Sequence, residues 1–189
     1  MKHAPSAGAA TALAVALALL ARSASRAAGP PVPYFDWNAC PFECCFYGTW
    51  TAERSVPALA ARRADAPTAF TVEAGERVTA WTGVVITTRP GRIRILEATT
   101  LGEGKEEVEL QPGDVVYVLH YLGEGFDLLW FRGKTFSDQI HMDRPGKSGE
   151  LELLEPAETE WWVKVKNRAG RFGWTNEPQG FPDNDACGD

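Results

Sequence analysis

The chain has 189 residues, of which 44% are hydrophobic and 23% are charged, and its formal net charge is −6. This composition is that of an ordinary soluble globular protein, with room for one domain or two small ones. The acidic balance argues against nucleic-acid binding through phosphate neutralisation, which needs a surplus of lysine and arginine.

The first residues differ from the rest and predict a cleaved secretory signal peptide. A basic start at Lys2 precedes an uncharged apolar run at 9–21, and small residues follow. The run is too short to span a bilayer comfortably, and the three parts together indicate cleavage after Ala27 or, alternatively, after Ser23. An N-terminal membrane anchor is the other interpretation. Removal of residues 1–27 deletes three basic residues and no acidic ones, which changes the net charge from −6 to −9.

No other apolar stretch of the sequence is long enough to cross a membrane. We therefore expect a mature protein that is periplasmic or secreted and has no stable membrane insertion after signal cleavage.

Four cysteines follow the predicted signal peptide: Cys40, Cys44, Cys45 and Cys187. An oxidising compartment and an even count favour disulfides over metal thiolates. A bond between the adjacent Cys44 and Cys45 would be strained, so two pairings remain open. They are Cys40–Cys45 with Cys44–Cys187, which we favour, and Cys40–Cys44 with Cys45–Cys187. Both staple the two chain ends together, whereas a zinc site on the cluster is an alternative whose spacing matches no common finger.

Short strands separated by turns make up the mature sequence, and no stretch of it has helical periodicity. Residues 28–46 predict an extended Pro-rich lead-in whose aromatic side chains dock on the body. Residues 47–100 hold about five short strands, of which 77–82 alternates most clearly and continues as 83–88. The sequence therefore predicts an all-β fold.

The second half repeats this pattern and ends in a tight hairpin at 160–175. A strand at 115–122 precedes it, while the polar, irregular stretch 133–149 predicts a long loop. Alternation in the hairpin places Trp162 and two lysines on one face, opposite Trp161 and two valines. The residues after the hairpin are expected to wrap back towards the N-terminal cysteines.

Three motifs resemble those of bacterial SH3-like (SH3b) domains of exported proteins of uncharacterised function. They are Leu110-x-x-Gly113-Asp114-x-Val116-x-Val118-Leu119, the Trp161-Trp162-Val163 strand, and Gly170-x-x-Gly173-Trp174-Thr175. The resemblance implies tandem small SH3-like β-barrels, the first of them a divergent copy. The division it implies is a signal peptide at 1–27, a lead-in with the cysteine cluster at 28–46, a divergent barrel at 47–100, a barrel with a long insertion loop at 108–178, and a tail with Cys187 at 179–189.

Binding is the function that these features favour, because small β-barrels bind ligands in a groove where aromatic side chains give contact area and charges give orientation. The candidate groove residues are Trp162, Trp174, Tyr117, Tyr121, Trp130, Lys164, Lys166 and Arg171. Trp162 is the strongest candidate, since alternation puts it opposite the predicted core. Alternatively, Trp162 packs under the N-terminal segment or against the other barrel.

Catalytic and metal-binding motifs are absent from the sequence: it has no G-x-S-x-G, S-x-x-K or H-E-x-x-H. We therefore expect no enzyme activity and no metal or other cofactor. His120 is expected to be exposed or half-buried on its strand. His141, close to Asp143, is expected to lie in a solvated loop and not to ligate a metal.

A second charged patch comprises Arg89, Arg92 and Arg94 on one hairpin, with Arg77 expected nearby. Such a patch could meet an anionic polymer. A solvated strand face is the favoured account, because arginine and glutamate are ordinary outward residues on strands.

The resemblance implies a non-catalytic binding protein of the cell envelope, with cell-wall glycan and peptide or an envelope protein as the partner. A structural or accessory subunit, whose aromatic face is buried in a protein complex, is the alternative. A thiol- or metal-dependent enzyme is the third possibility, and it is the least favoured because crowded cysteines of an exported protein should be oxidised.

Overall fold

The computed structural model describes residues 29–139, 147–148 and 151–187, with only the backbone of 147–148. The predicted signal peptide at 1–27 and the residues His141, Met142 and Asp143 lie outside these ranges.

The all-β prediction is confirmed for the described residues, which contain strands and three single-turn 3-10 helices but no α-helix. The strands are β1 (Tyr34–Trp37), β2 (Thr49–Thr51), β3 (Val56–Leu59), β4 (Thr68–Val72), β5 (Arg77–Arg89), β6 (Gly91–Ile95), β7 (Thr99–Leu101), β8 (Val108–Leu110), β9 (Val115–Gly123), β10 (Phe126–Phe131), β11 (Lys134–Asp138), β12 (Lys147–Ser148), β13 (Leu151–Glu155), β14 (Glu158–Lys166) and β15 (Phe172–Thr175). The 3-10 turns are Gly104–Glu106, Pro178–Gly180 and Pro182–Asn184. None of these helical segments is long and apolar enough to cross a membrane.

Two sheets organise the chain. The strands of the second sheet all lie, in sequence, between two neighbouring strands of the first. The first has the order β1-β5-β14-β15-β3-β4, with β2 also paired to β5, and the second has the order β11-β10-β9-β6-β13-β12. Strands β7 and β8 form a separate two-stranded ribbon. Since β5 and β14 are direct antiparallel neighbours, with Arg89 opposite Glu158, the whole of 90–157 is the connection between them.

This nesting differs from the predicted division into 47–100 and 108–178. The Trp161-Trp162 strand pairs with β5 in the first sheet, whereas the strand after Gly113-Asp114 pairs with β6 and β10 in the second. The motifs assigned to one barrel therefore lie in different sheets. In the described part of the chain neither sheet closes on itself, so the closed barrels expected from the resemblance are not formed.

Each sheet has its own apolar core, built by strand alternation. The first core contains Trp50, Val56, Val78, Val163, Val165 and other residues, and it also receives Phe181 from the C-terminal tail. The second contains Ile93, Ile95, Val116, Leu129, Phe131 and their neighbours. A third, smaller cluster of Val84, Ile86 and Trp162 lies on the opposite face of the first sheet from Val163 and Val165.

The favoured disulfide pairing is confirmed. Cys40 bonds to Cys45 and Cys44 bonds to Cys187, with Cα–Cα distances of 5.7 and 5.3 Å. The tail reaches this position through backbone hydrogen bonds, among them Ala186 N to Cys44 O at 2.8 Å. Because all four sulfurs are in disulfides, no thiolate remains for the zinc site considered from the sequence.

The predicted loop at 133–149 is wrong in its first part. Lys134–Asp138 forms β11, which pairs with β10 along its whole length. Phe136 is the physical reason, since its buried side chain joins the second core and fixes the register of an otherwise polar strand.

Candidate functional site

The outer face of the first sheet carries several large aromatic side chains that remain exposed. Trp81 is 61% exposed, Trp37 53%, Phe172 42% and Phe35 39%. They come from β1, β5 and β15, on the face opposite Val163 and Val165. Contiguous exposed aromatic surface is uncommon in monomeric proteins and marks interaction sites.

Lysine side chains from β14 lie between these aromatic rings. Lys164 and Lys166 are in register with Trp174 and Phe172 on β15, so all four share one face. The Lys164 Nζ is 5.0 Å from the Phe172 ring centroid and 5.8 Å from that of Trp174. The Lys166 Nζ is 5.6 Å from the Phe172 centroid and 5.8 Å from that of Trp81. These distances lie within cation–π range.

Arg62 joins the other end of this arrangement from the loop between β3 and β4. Its guanidinium carbon lies 4.8 Å from the Phe35 centroid, 4.7 Å from that of Trp37 and 5.8 Å from that of Trp174. The Arg62 Nη1 is buried without a hydrogen-bond acceptor in the described part of the chain. A buried donor of this kind costs free energy unless an acceptor reaches it.

Together these residues form a continuous surface that we name the aromatic–cation face. Its members are Phe35, Trp37, Arg62, Trp81, Lys164, Lys166, Phe172 and Trp174. Edge-to-face contacts of Trp37 with Trp174, and of Trp81 with Phe172, fix the rings at centroid distances of 6.5 and 5.8 Å. The surface offers flat apolar rings for stacking and cations for anionic groups beside them.

Trp162 lies beneath this face and is only 2% exposed. Alternation does place it opposite Trp161, but it packs with Val84 and Ile86, and Trp174 packs against that cluster. Its indole N–H donates to Glu160 Oε2 at 2.9 Å. The side chain is therefore a support for the exposed aromatic rings and presents almost no surface of its own.

Of the other candidate groove residues, the structure brings Trp174, Lys164 and Lys166 together. Tyr117, Tyr121 and Trp130 lie on β9 and β10 of the second sheet, where Trp130 makes an edge contact with Tyr34 at 6.4 Å. Arg171 is held apart from the face, with its guanidinium 5.4 Å from the Phe70 ring.

Sequence reasoning missed Phe35, Trp37, Arg62, Trp81 and Phe172 as members of one surface. Alternation along β5 could have indicated Trp81, but a register shift between Lys164 and Val165 makes this position a bulge. Trp37 and Arg62 reach the face from segments distant in sequence, and no local pattern reveals that.

A polar cluster around the buried His120 joins the two sheets. His120 on β9 is 2% exposed, so the expectation that it is exposed or half-buried is wrong. Its Nε2 is 2.8 Å from Asp36 Oδ2 on β1 and its Nδ1 is 2.8 Å from Tyr121 O. Both ring nitrogens of His120 thus lie within hydrogen-bond distance of an oxygen atom. Burial raises the pKa of the neighbouring Asp127 to about 6, and the charge of His120 opposes that rise.

The arginine patch is a paired strand face. Arg92 and Arg94 contact Glu155 and Glu152 across β6 and β13 at 3.0 and 2.7 Å. Arg89 pairs with Glu158 across β5 and β14. Arg77 lies at the opposite end of β5 and not beside them, since β5 is a single strand of 13 residues.

Comparison with protein-family models, curated proteins and solved structures found no match to this chain. The geometry of the site and the resemblance carried by the sequence motifs are therefore what bears on function.

Proposed function

We propose that the protein is a non-catalytic, exported binding protein of the cell envelope and that it holds cell-wall glycan and peptide on the aromatic–cation face. The observation that carries the proposal is the run of exposed rings from Trp37 to Trp81 with Lys164 and Lys166 between them. Sugar rings stack on exposed aromatic side chains, and the carboxylates of peptide stems pair with lysine.

The resemblance to bacterial SH3-like domains gives a second support. It applies to the Gly113-Asp114 strand and to the Trp161-Trp162 hairpin separately, because these motifs lie in different sheets. The proposal treats each sheet as an open, divergent relative of a small SH3-like barrel.

Sedimentation of the mature protein with purified peptidoglycan sacculi tests this function. We expect the wild type to co-sediment and the double variant Trp81→Ala/Phe172→Ala to lose binding by about tenfold or more, because two stacking rings are removed. Tyr121→Ala is the matched control, since Tyr121 is 39% exposed but lies on the second sheet, away from the face. Thermal unfolding of all proteins verifies that they are folded.

Absence of wild-type co-sedimentation would overturn the proposal, as would an equal loss of binding in the Tyr121→Ala control. The first result would favour the second candidate, an accessory subunit that buries the same aromatic face against a protein partner. The buried and unpartnered Arg62 Nη1 supports that candidate, because a partner's carbonyl oxygen would satisfy it.

A further inference from the structure

A concave pocket of about 660 Å³ lies at the end of the first sheet where β5 begins. Its walls come from the starts of β2 and β5, from β4, and from the 167–171 turn that joins β14 to β15. No residue of the aromatic–cation face lines it, so it is a separate site and does not depend on the function proposed above.

Three arginines line the pocket: Arg77, Arg168 and Arg171. Within the described part of the chain, the side chains of Arg77 and Arg168 have no ion-pair or hydrogen-bond partner. Every arginine of the patch at the other end of β5 has its own glutamate. All three arginines are exposed, and they place three guanidinium groups around one concavity in a chain of net charge −6. An external anion can pair with guanidinium groups arranged in this way.

Arg171 is positioned at the wall of the pocket by the protein itself. Its Nη1 donates to Ala69 O at 3.3 Å and its guanidinium lies over the Phe70 ring. One donor is occupied in this way, which leaves the other N–H groups of the guanidinium for a ligand. Its backbone N–H donates to Asn167 Oδ1 at 2.9 Å, and this bond fixes the turn that carries Arg168.

The charge of the pocket matches that of a phosphate monoester. Glu76 is the acidic side chain among the lining residues, and its Oε2 accepts a hydrogen bond from Glu73 N at 2.8 Å. Three guanidinium groups and one carboxylate give a formal charge of +2, and a phosphate monoester carries about −1.5 to −2 at neutral pH. A ligand that carries a single carboxylate would neutralise only one of these two positive charges.

The size and the remaining walls indicate what the phosphate is attached to. A phosphate group fills only a small part of the pocket volume, and the rest is bordered by the exposed side chains of Thr49 and Thr71. Hydroxyl groups pair well with other hydroxyl groups. We propose that this pocket binds the phosphate monoester of a sugar or another small polyol, with the phosphate on the three arginines and the polyol beside the threonines.

Titration calorimetry of the mature protein with glucose 6-phosphate tests the site, with glucose and glucuronate as comparison ligands. We expect binding of glucose 6-phosphate that weakens as salt is raised to about 0.15 M, no binding of glucose, and much weaker binding of glucuronate because it carries one charge. Arg77→Gln and Arg168→Gln should each weaken binding about tenfold through the loss of a charge-assisted hydrogen bond.

Arg89→Gln is the matched control, because it makes the same change on the same strand about 40 Å from Arg77. It should leave the affinity unchanged. Equal weakening by Arg89→Gln, unaltered binding in Arg77→Gln and Arg168→Gln, or absence of glucose 6-phosphate binding would overturn the site. Binding of glucuronate as tight as that of the phosphate would overturn the assignment to a phosphate monoester. Sacculus binding by Arg77→Gln should equal that of the wild type, which separates this site from the aromatic–cation face.

Discussion

At the scale of single residues, the contact between His120 and Asp36 ties the second sheet to the first. Thr87 reinforces it from β5, because its buried hydroxyl donates to Leu119 O at 2.8 Å. His120 and Thr87 are both buried, and a buried polar side chain that lost its hydrogen-bond partner would be costly. The junction between the sheets therefore depends on polar groups as well as on apolar packing.

Asp127 gives this junction a pH dependence. Its pKa is about 6 in the folded protein, mainly because of burial, whereas the ordinary pKa of an aspartate is 3.8. Between these values the folded protein holds a proton that the unfolded chain has released, so the stability falls as the pH rises from about 3.8 to about 6 and stays lower above it. Asp127→Asn should therefore raise the free energy of unfolding at a pH of about 7.5 by about 1 kcal/mol, less than the full shift implies because the carboxyl is partly exposed.

Urea unfolding of Asp127→Asn and wild type across this pH range measures the effect. The stabilisation should shrink towards zero near a pH of about 4, where the wild-type carboxyl is protonated as well. Asp65→Asn is the control, since Asp65 is exposed in the β3–β4 loop. A stabilisation by Asp127→Asn that is the same at both ends of the range would contradict the burial argument.

At the scale of elements, β5 is the strand on which the first sheet depends. It pairs with β1 and β2 along one edge and with β14 along the other. Gly83 lies at the middle of β5, where Val163 is its partner and Asn38 N donates to its carbonyl oxygen at 2.8 Å. A Cβ placed at Gly83 would lie 2.1 Å from the Tyr47 hydroxyl and 2.8 Å from Trp161 Nε1.

Gly83→Ala should therefore destabilise the protein by about 1–3 kcal/mol, because the added methyl group forces apart a contact between two buried elements. The Trp161 N–H donates to the Tyr47 hydroxyl at 3.1 Å, and this bond should be disturbed first. Thermal unfolding measures the change, with Thr79→Ala on an exposed part of the same strand as a control of about 0.5 kcal/mol or less. An unchanged midpoint for Gly83→Ala would show that the contact is not tight.

Period-two alternation explains which elements could be predicted from the sequence. It located the β14–β15 hairpin and assigned Trp161, Val163 and Val165 to a core, because these features depend on neighbouring residues. It could not show that Trp162 is covered, since burial on the outer face depends on Trp174 and on strands contributed by other parts of the chain. The exposed tryptophans are instead Trp81 and Trp37. The position of Trp81 depends on a bulge in β5, and that of Trp37 depends on the docking of the lead-in.

At the scale of the whole molecule, the order of strands within the sheets could not be predicted from the sequence for a similar reason. β5 and β14 pair across 68 intervening residues, and the composition of neither strand indicates which strand it pairs with. The division implied by the resemblance gave each predicted barrel one of two similar sequences, Gly75-Glu76 and Gly113-Asp114. The structure instead uses both as turns before long strands, one in each sheet.

The two disulfides should contribute unequally to the stability of this nested fold. Cys44–Cys187 closes a loop with a sequence separation of 143, whereas Cys40–Cys45 spans 5. In the chain-entropy description the long loop restricts the unfolded chain more, which corresponds to about 5 kcal/mol for Cys44–Cys187 and about 2 kcal/mol for Cys40–Cys45. The longer bond also holds the tail that inserts Phe181 against Trp50, with ring centroids 5.6 Å apart.

Urea unfolding of Cys44→Ser/Cys187→Ser and of Cys40→Ser/Cys45→Ser measures this difference, since each double variant removes one bond without leaving a free thiol. We expect the first to lose about two and a half times as much free energy of unfolding as the second. The slope of the transition should rise in the first variant, because the unfolded chain expands when the long loop is opened. An equal loss in the two variants would contradict the loop argument and place the stabilisation in local contacts around the cysteine cluster.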